Sequence, residues 1–171
     1  MKNALPLWMT FGAAALMAMA PAALAQNLPA GIGGYWKITK MHPKKPLATP
    51  GCDANPAFFS KMAHGSRILM SDRNIVWGGA SATDPAARVN MVDPAEFSAH
   101  HLGAGVTMHE LNLDRGSKVE VIKLGSPGTL PFDTIVVLDP STVYFERCGI
   151  FMEAIHDSGF VAPPLPNQQS Q

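Results

Sequence analysis

The side chains able to do chemistry in this chain are few and scattered. Of six histidines among 171 residues, His100 and His101 are adjacent, and His109-Glu110 follows eight residues on. A metal site needs His, Cys, Asp or Glu converging at ligand spacing. Adjacent histidines on a helix point to different faces, and the chain has no H-E-x-x-H and no His pair at i,i+4. His100 and His101 therefore read as residues at a helix C-terminus, where a partial positive charge is favourable. Asp133 and Glu146 could face each other across neighbouring strands as an acid/base pair, although carboxylates on the solvent side of strands are normally solvated. Ser66 and Ser126 lie near glycines but outside any G-x-S-x-G frame. No C-x-x-C-H attaches haem. Gly103-Ala104-Gly105 leads into Val106-Thr107, not into the helix a dinucleotide loop requires. The sequence thus predicts no catalytic, cofactor-binding or metal-ligating residue in this chain.

Cys52 and Cys148 are the only cysteines, and the N-terminal segment sets their chemistry. Lys2 gives a positive start, Leu5 to Met19 an apolar stretch, Pro21 a break, and Ala23-Leu24-Ala25 an A-x-A cleavage site before Gln26. Residues 1–25 read as a cleaved signal peptide, too short in uninterrupted apolar run for a membrane span. No cysteine at the junction indicates a lipid anchor. Export to the periplasm or beyond is an oxidising destination, so Cys52 and Cys148 read as a structural disulfide. Closing a loop of nearly 100 residues, it would contribute on the order of 4–5 kcal/mol. A metal or redox pair fits less well, since the two are not C-x-x-C and no ligand cluster surrounds them.

The elements that must position these groups are mostly strands. After the leader, twelve basic and thirteen acidic residues leave the chain near neutral, which argues against nucleic-acid binding. Residues 26–160 fit one β-rich domain, and 161–171, with three prolines and no charge, read as a disordered tail. Alternation predicts strands over Tyr35–Met41, Ser66–Met70, Asn74–Trp77, Thr107–Leu113, Lys118–Leu124, Phe132–Leu138, Thr142–Arg147 and Ile150–Ile155. Asn55-Pro56 opens one short helix ending at Gly65. Asp93-Pro94 opens a second, with Glu96 at capping-box spacing and Gly103 as its stop. The fold class is mainly β: a small antiparallel barrel, lipocalin-like, or a sandwich, with two short helices. Trp36, Trp77, Tyr144 and Phe151, with Phe145 and Met152, either line a pocket or interface or form the core.

The G-x-W of Gly34-Tyr35-Trp36 resembles the first-strand motif of lipocalins, whose tryptophan plugs one barrel end. This resemblance implies a second reading, a periplasmic carrier of a small apolar ligand with a cavity lined by Trp36. Taken whole, GGYWKITK, the pair Cys52/Cys148 and VVLDPSTVYFERCGIFMEAI, on an exported chain of this size, resemble the small accessory subunit of the membrane-bound quinoprotein alcohol dehydrogenase of acetic acid bacteria. That resemblance implies a non-catalytic periplasmic protein held at the inner membrane only through its partners. Those partners would be a dehydrogenase subunit carrying pyrroloquinoline quinone and a multihaem cytochrome c subunit passing electrons to ubiquinone. The small subunit itself would hold no cofactor.

Overall fold

The computed structural model describes residues 27–42, 65–102 and 105–161. Nine strands run β1 (Gly34–His42), β2 (Arg67–Met70), β3 (Asn74–Trp77), β4 (Ala80–Thr83), β5 (Ala87–Val92), β6 (Val119–Leu124), β7 (Thr134–Asp139), β8 (Thr142–Arg147) and β9 (Ile150–His156). Among the described residues one α-helix, α1 (Pro94–His101), lies between β5 and β6, and a single 3-10 turn, Ala30–Ile32, precedes β1. The strands form one antiparallel sheet in the order β4-β3-β2-β1-β9-β8-β7-β6-β5. It curls into a half-barrel; among the described residues no second sheet packs on it as a sandwich would require.

Turn chemistry sets the hairpins. Asp139 Oδ1 accepts from the Ser141 amide at 2.7 Å and its hydroxyl at 2.6 Å, the Asx geometry that folds β7 onto β8. Between β8 and β9 the two-residue loop Cys148-Gly149 has φ of 56° and 74°, the left-handed pair that the right-handed twist of a tight hairpin demands.

Alternation then sorts the side chains. Trp36, Ile38, Ile68, Ile75, Trp77, Ile122, Ile135, Val143, Phe145 and Met152 point inward and form one buried cluster with Leu28 and Ile32. Most leave no surface that water can reach. Trp36 sits at one end of this interior, its indole Nε1–H donating to Ile32 O at 2.8 Å across the 3-10 turn. The edge strand β4 is sealed: the Thr129 amide donates to Ser81 O at 3.0 Å and the Ser81 amide to Thr129 Oγ1 at 2.9 Å. Gly128 makes that approach possible, because a Cβ on it would stand 2.4 Å from Ser81 O.

A second cluster covers the outer face of β6 to β9. Val121, Val136, Tyr144 and Phe151 are buried there under Phe97 of α1 and under Val106, Leu111 and Leu113.

Several expectations change. Thr107–Leu113 is not a strand but a run of turns closed by Leu111 N–H to Thr107 O (3.3 Å) and Leu113 N–H to Met108 O (2.9 Å). Its apolar residues cover the sheet instead of joining it. Strands β4 and β5 lie where no element was expected. Helix α1 starts at Pro94 as expected, but Asp93 makes no side-chain cap; its carboxylate accepts from Lys118 Nζ at 2.8 Å. The helix ends at His101, short of Gly103. The helix expected from Asn55, like residues 1–25 and the tail from Ala162, lies outside the described residues.

Candidate functional site

The four aromatics singled out in the sequence fall into the two cores. Trp36 and Trp77 belong to the interior, Tyr144 and Phe151 to the covered outer face, and all four are fully buried. Trp77 Nε1–H donates to Ser66 Oγ at 2.9 Å and Tyr144 O–H to Leu111 O at 2.9 Å. Their polar atoms are spent on holding structure, and none of the four lines the clefts described below.

Polar groups gather at two places on the outer face. A β-bulge between Ile38 and Lys40 shifts the register of β1 on β9. Trp36 and Ile38 face inward, and the extra residue sends His42 to the opposite side. There its ring is fully buried. His42 Nδ1 lies 2.8 Å from Glu110 Oε1 and Nε2 3.5 Å from Glu153 Oε2, with the ring edge-on to Tyr144 at 6.2 Å. The imidazole thus ties the 105–114 cover to the sheet. Burial pushes the Tyr144 phenol well above its ordinary value, and the charges of Glu153 and Asp139 push the same way.

The second place is a cleft of ≈ 330 Å³ lined by His100, His101, Leu102, Lys123, Asp133, Glu146, Cys148 and Gly149. It brings together His101, Asp133 and Glu146, all flagged from sequence. His101 stacks on Phe97 at 4.8 Å and its Nδ1 lies 3.3 Å from Glu146 Oε2. The Gly149 amide donates to the other oxygen of Glu146 at 3.0 Å. Asp133 Oδ1 accepts from Lys123 Nζ at 2.8 Å and from Thr134 Oγ1 at 2.7 Å. Partial burial pushes the Asp133 carboxyl up, but the hydrogen bonds from Lys123 and Thr134 outweigh it and hold the group below the usual carboxylate range. The two carboxylates therefore share a cleft but each is held by its own hydrogen-bond partners. Cys148 is not a free thiol; its expected partner, Cys52, lies outside the described residues. His109 is apart from this cleft, exposed and paired to Asp114 at 2.9 Å.

Two further clefts, of ≈ 480 and ≈ 370 Å³, flank Lys118 and Leu138 at the open end of the half-barrel, beside Arg115 and Met91. Among the described residues no group of three or more His, Cys, Asp or Glu side chains is placed to hold a metal ion. No helix among them is long and apolar enough to cross a membrane. The burial of His42 depends on a bulge and on a segment 68 residues away, for which no local signal exists.

No family model, curated protein or solved structure matches this chain.

Proposed function

We propose that this chain is a non-catalytic accessory subunit of a quinone-dependent alcohol dehydrogenase complex, exported to the periplasm and held at the inner membrane through its partners. The observation that carries the reading is the filled interior. Trp36, Ile68, Ile135, Phe145, Met152 and Ala154 are fully buried inside the half-barrel, so among the described residues it is the surface that such a protein has to offer. The reactive side chains of the outer face are engaged with one another, as a scaffold's would be. The dehydrogenase subunit would carry pyrroloquinoline quinone and the cytochrome c subunit its haems. An interface of about 1,600 Å² would be enough for stable association, and binding only the folded dehydrogenase would stabilise it by mass action. The Cys52–Cys148 bridge belongs to this reading, as a staple suited to an oxidising compartment.

Deleting the gene and measuring membrane alcohol:quinone activity together with dehydrogenase abundance tests the proposal. Both should fall; if both stay unchanged, the reading is wrong. The carrier reading calls for a cavity lined by Trp36, and the full burial of that residue counts against it.

A further inference from the structure

The cover over the outer face of β6 to β9 is fastened to the sheet through two histidines, one from each side. His42 belongs to the sheet. It is fully buried, with Nδ1 2.8 Å from Oε1 of Glu110 in the cover and Nε2 3.5 Å from Oε2 of Glu153 on β9. His101 belongs to the cover, as the last residue of α1. Its Nδ1 lies 3.3 Å from Oε2 of Glu146 on β8, a buried carboxylate. Both ring nitrogens of His42 thus face carboxylate oxygens. A neutral imidazole has one N–H to donate and a lone pair on its other nitrogen, so one of the two carboxylates would meet a lone pair. The imidazolium donates to both, and a charge-assisted bond is about twice as strong as a neutral one. At His101 the added charge strengthens a single contact to a carboxylate that is shut off from water.

The neighbouring charges leave the imidazoles as the variable part. Carboxylates and lysines ordinarily keep their charge between pH 5 and 8, and imidazole is the side chain that changes it there. Around His42, the Thr39 hydroxyl donates to the other oxygen of Glu153 at 3.4 Å, and Lys40 stands opposite Glu153 in register. From β8 the Tyr144 hydroxyl faces the ring and is donated to Leu111 O. Around His101, Lys123 and Asp133 pair with each other, Arg147 acts on Asp133 from β8, and His100 is an exposed neighbour. The cover's further tie, Lys118 to Asp93 at 2.8 Å, joins two exposed side chains. His109 pairs with Asp114 inside the cover.

We propose that the cover is a pH-responsive latch: protonation of His42 and His101 fastens α1 and residues 105–114 over Tyr144 and Phe151, and deprotonation loosens them. The latch is a property of the chain itself and operates whichever partner the chain meets. Phe97, Leu111 and Leu113 keep the cover seated by apolar contact, so the histidines set how often it lifts. The closed cover offers carboxylates to an imidazolium and the lifted cover leaves it to water, so closing is favoured as pH falls. One charge-assisted hydrogen bond corresponds to about tenfold in the frequency of lifting.

Hydrogen exchange of the full, disulfide-intact chain between about pH 5.5 and 8, with each rate divided by the intrinsic rate at that pH, reads the latch directly. The amides of Phe97, Leu111 and Leu113 are bonded within the cover to Asp93 O, Thr107 O and Met108 O. Their protection should rise about tenfold from the alkaline to the acid end, while that of the β2–β3 hairpin changes by less than about twofold. His42→Gln combined with His101→Gln should abolish the rise, each alone should reduce it, and His109→Gln should leave it intact. Protection that is flat with pH, weakens toward acid, changes equally in the β2–β3 hairpin, disappears in His109→Gln or persists in the double variant overturns the latch. If the buried His42→Gln change prevents folding, the partly exposed His101 decides: a rise undiminished in His101→Gln overturns it equally.

Discussion

Tyr144→Phe is a sharp probe of the covered outer face. The substitution keeps the ring against His42 and Phe151 and removes one hydroxyl, whose hydrogen is donated to Leu111 O at 2.9 Å. The carbonyl it leaves belongs to a fully buried residue, so the cost at pH 7 should be about 1–3 kcal/mol. Alkaline pH adds a second signature. The folded-state phenol titrates above its ordinary value of 10.0 because burial disfavours the phenolate. A raised folded value means the native state keeps a proton that the unfolded chain releases, so this contribution is complete below about pH 10 and is lost as pH rises beyond it. The advantage of the unaltered protein over Tyr144→Phe should therefore shrink by about 1.4 kcal/mol per pH unit above 10. Urea unfolding at pH 7, 9, 10, 10.5 and 11, fitted for both proteins, gives the difference directly. An advantage that is constant across this range would refute the argument that the phenol is buried and donating.

Phe145→Ala empties the centre of the interior, where the ring packs on Phe132 at 4.6 Å, and should cost about 3–5 kcal/mol in denaturant unfolding. Gly128→Ala places a Cβ against Ser81 O at a residue with φ of 58°; it should unseal β4, lower stability by about 1–3 kcal/mol and speed hydrogen exchange of the Thr129 amide. Asp133→Asn removes a carboxyl whose folded value is lowered. A lowered value contributes above the ordinary carboxylate range and is lost as pH falls through the folded value, so the variant should flatten the acid limb of stability below about pH 4. With the side chain 35% exposed, screening keeps the effect under about 1 kcal/mol. Thiol titration of the denatured, unreduced protein should find no free thiol, and reduction should destabilise it by on the order of 4–5 kcal/mol.

Much of the sheet was legible because its strands obey period two. Asn74–Trp77 and Thr142–Arg147 match the expected limits, and β1, β2, β6, β7 and β9 differ by a residue or two at their ends. What failed did so for physical reasons. Ala80-Ser81-Ala82-Thr83 follows two glycines and has only Ala82 to bury, so it carries no alternating bulk. In β5 Val89 and Met91 stay exposed at the open end of the half-barrel, which removes the contrast between faces. Thr107–Leu113 read as a strand because its apolar residues serve a tertiary contact, the cover over Tyr144 and Phe151. Of the polar sites, the partners of Glu146 and Asp133 were visible as residue types but not as separate pairs. His42 was hidden because one inserted residue decides which way it faces.

The strand order has a consequence for how the chain can assemble. Strands β1 to β4 and β5 to β9 are each local meanders, and the one strand pairing that unites them sets the first strand beside the last, Trp36 opposite His156. Each half can form its own hairpins early, but the tryptophan has no wall to close against until the final strand arrives. Bringing ends so distant together makes loop closure the slow step. Completion of the sheet therefore waits for the C-terminal strand: a chain cut after Arg147 would keep both meanders but lose the strand pairing that joins them.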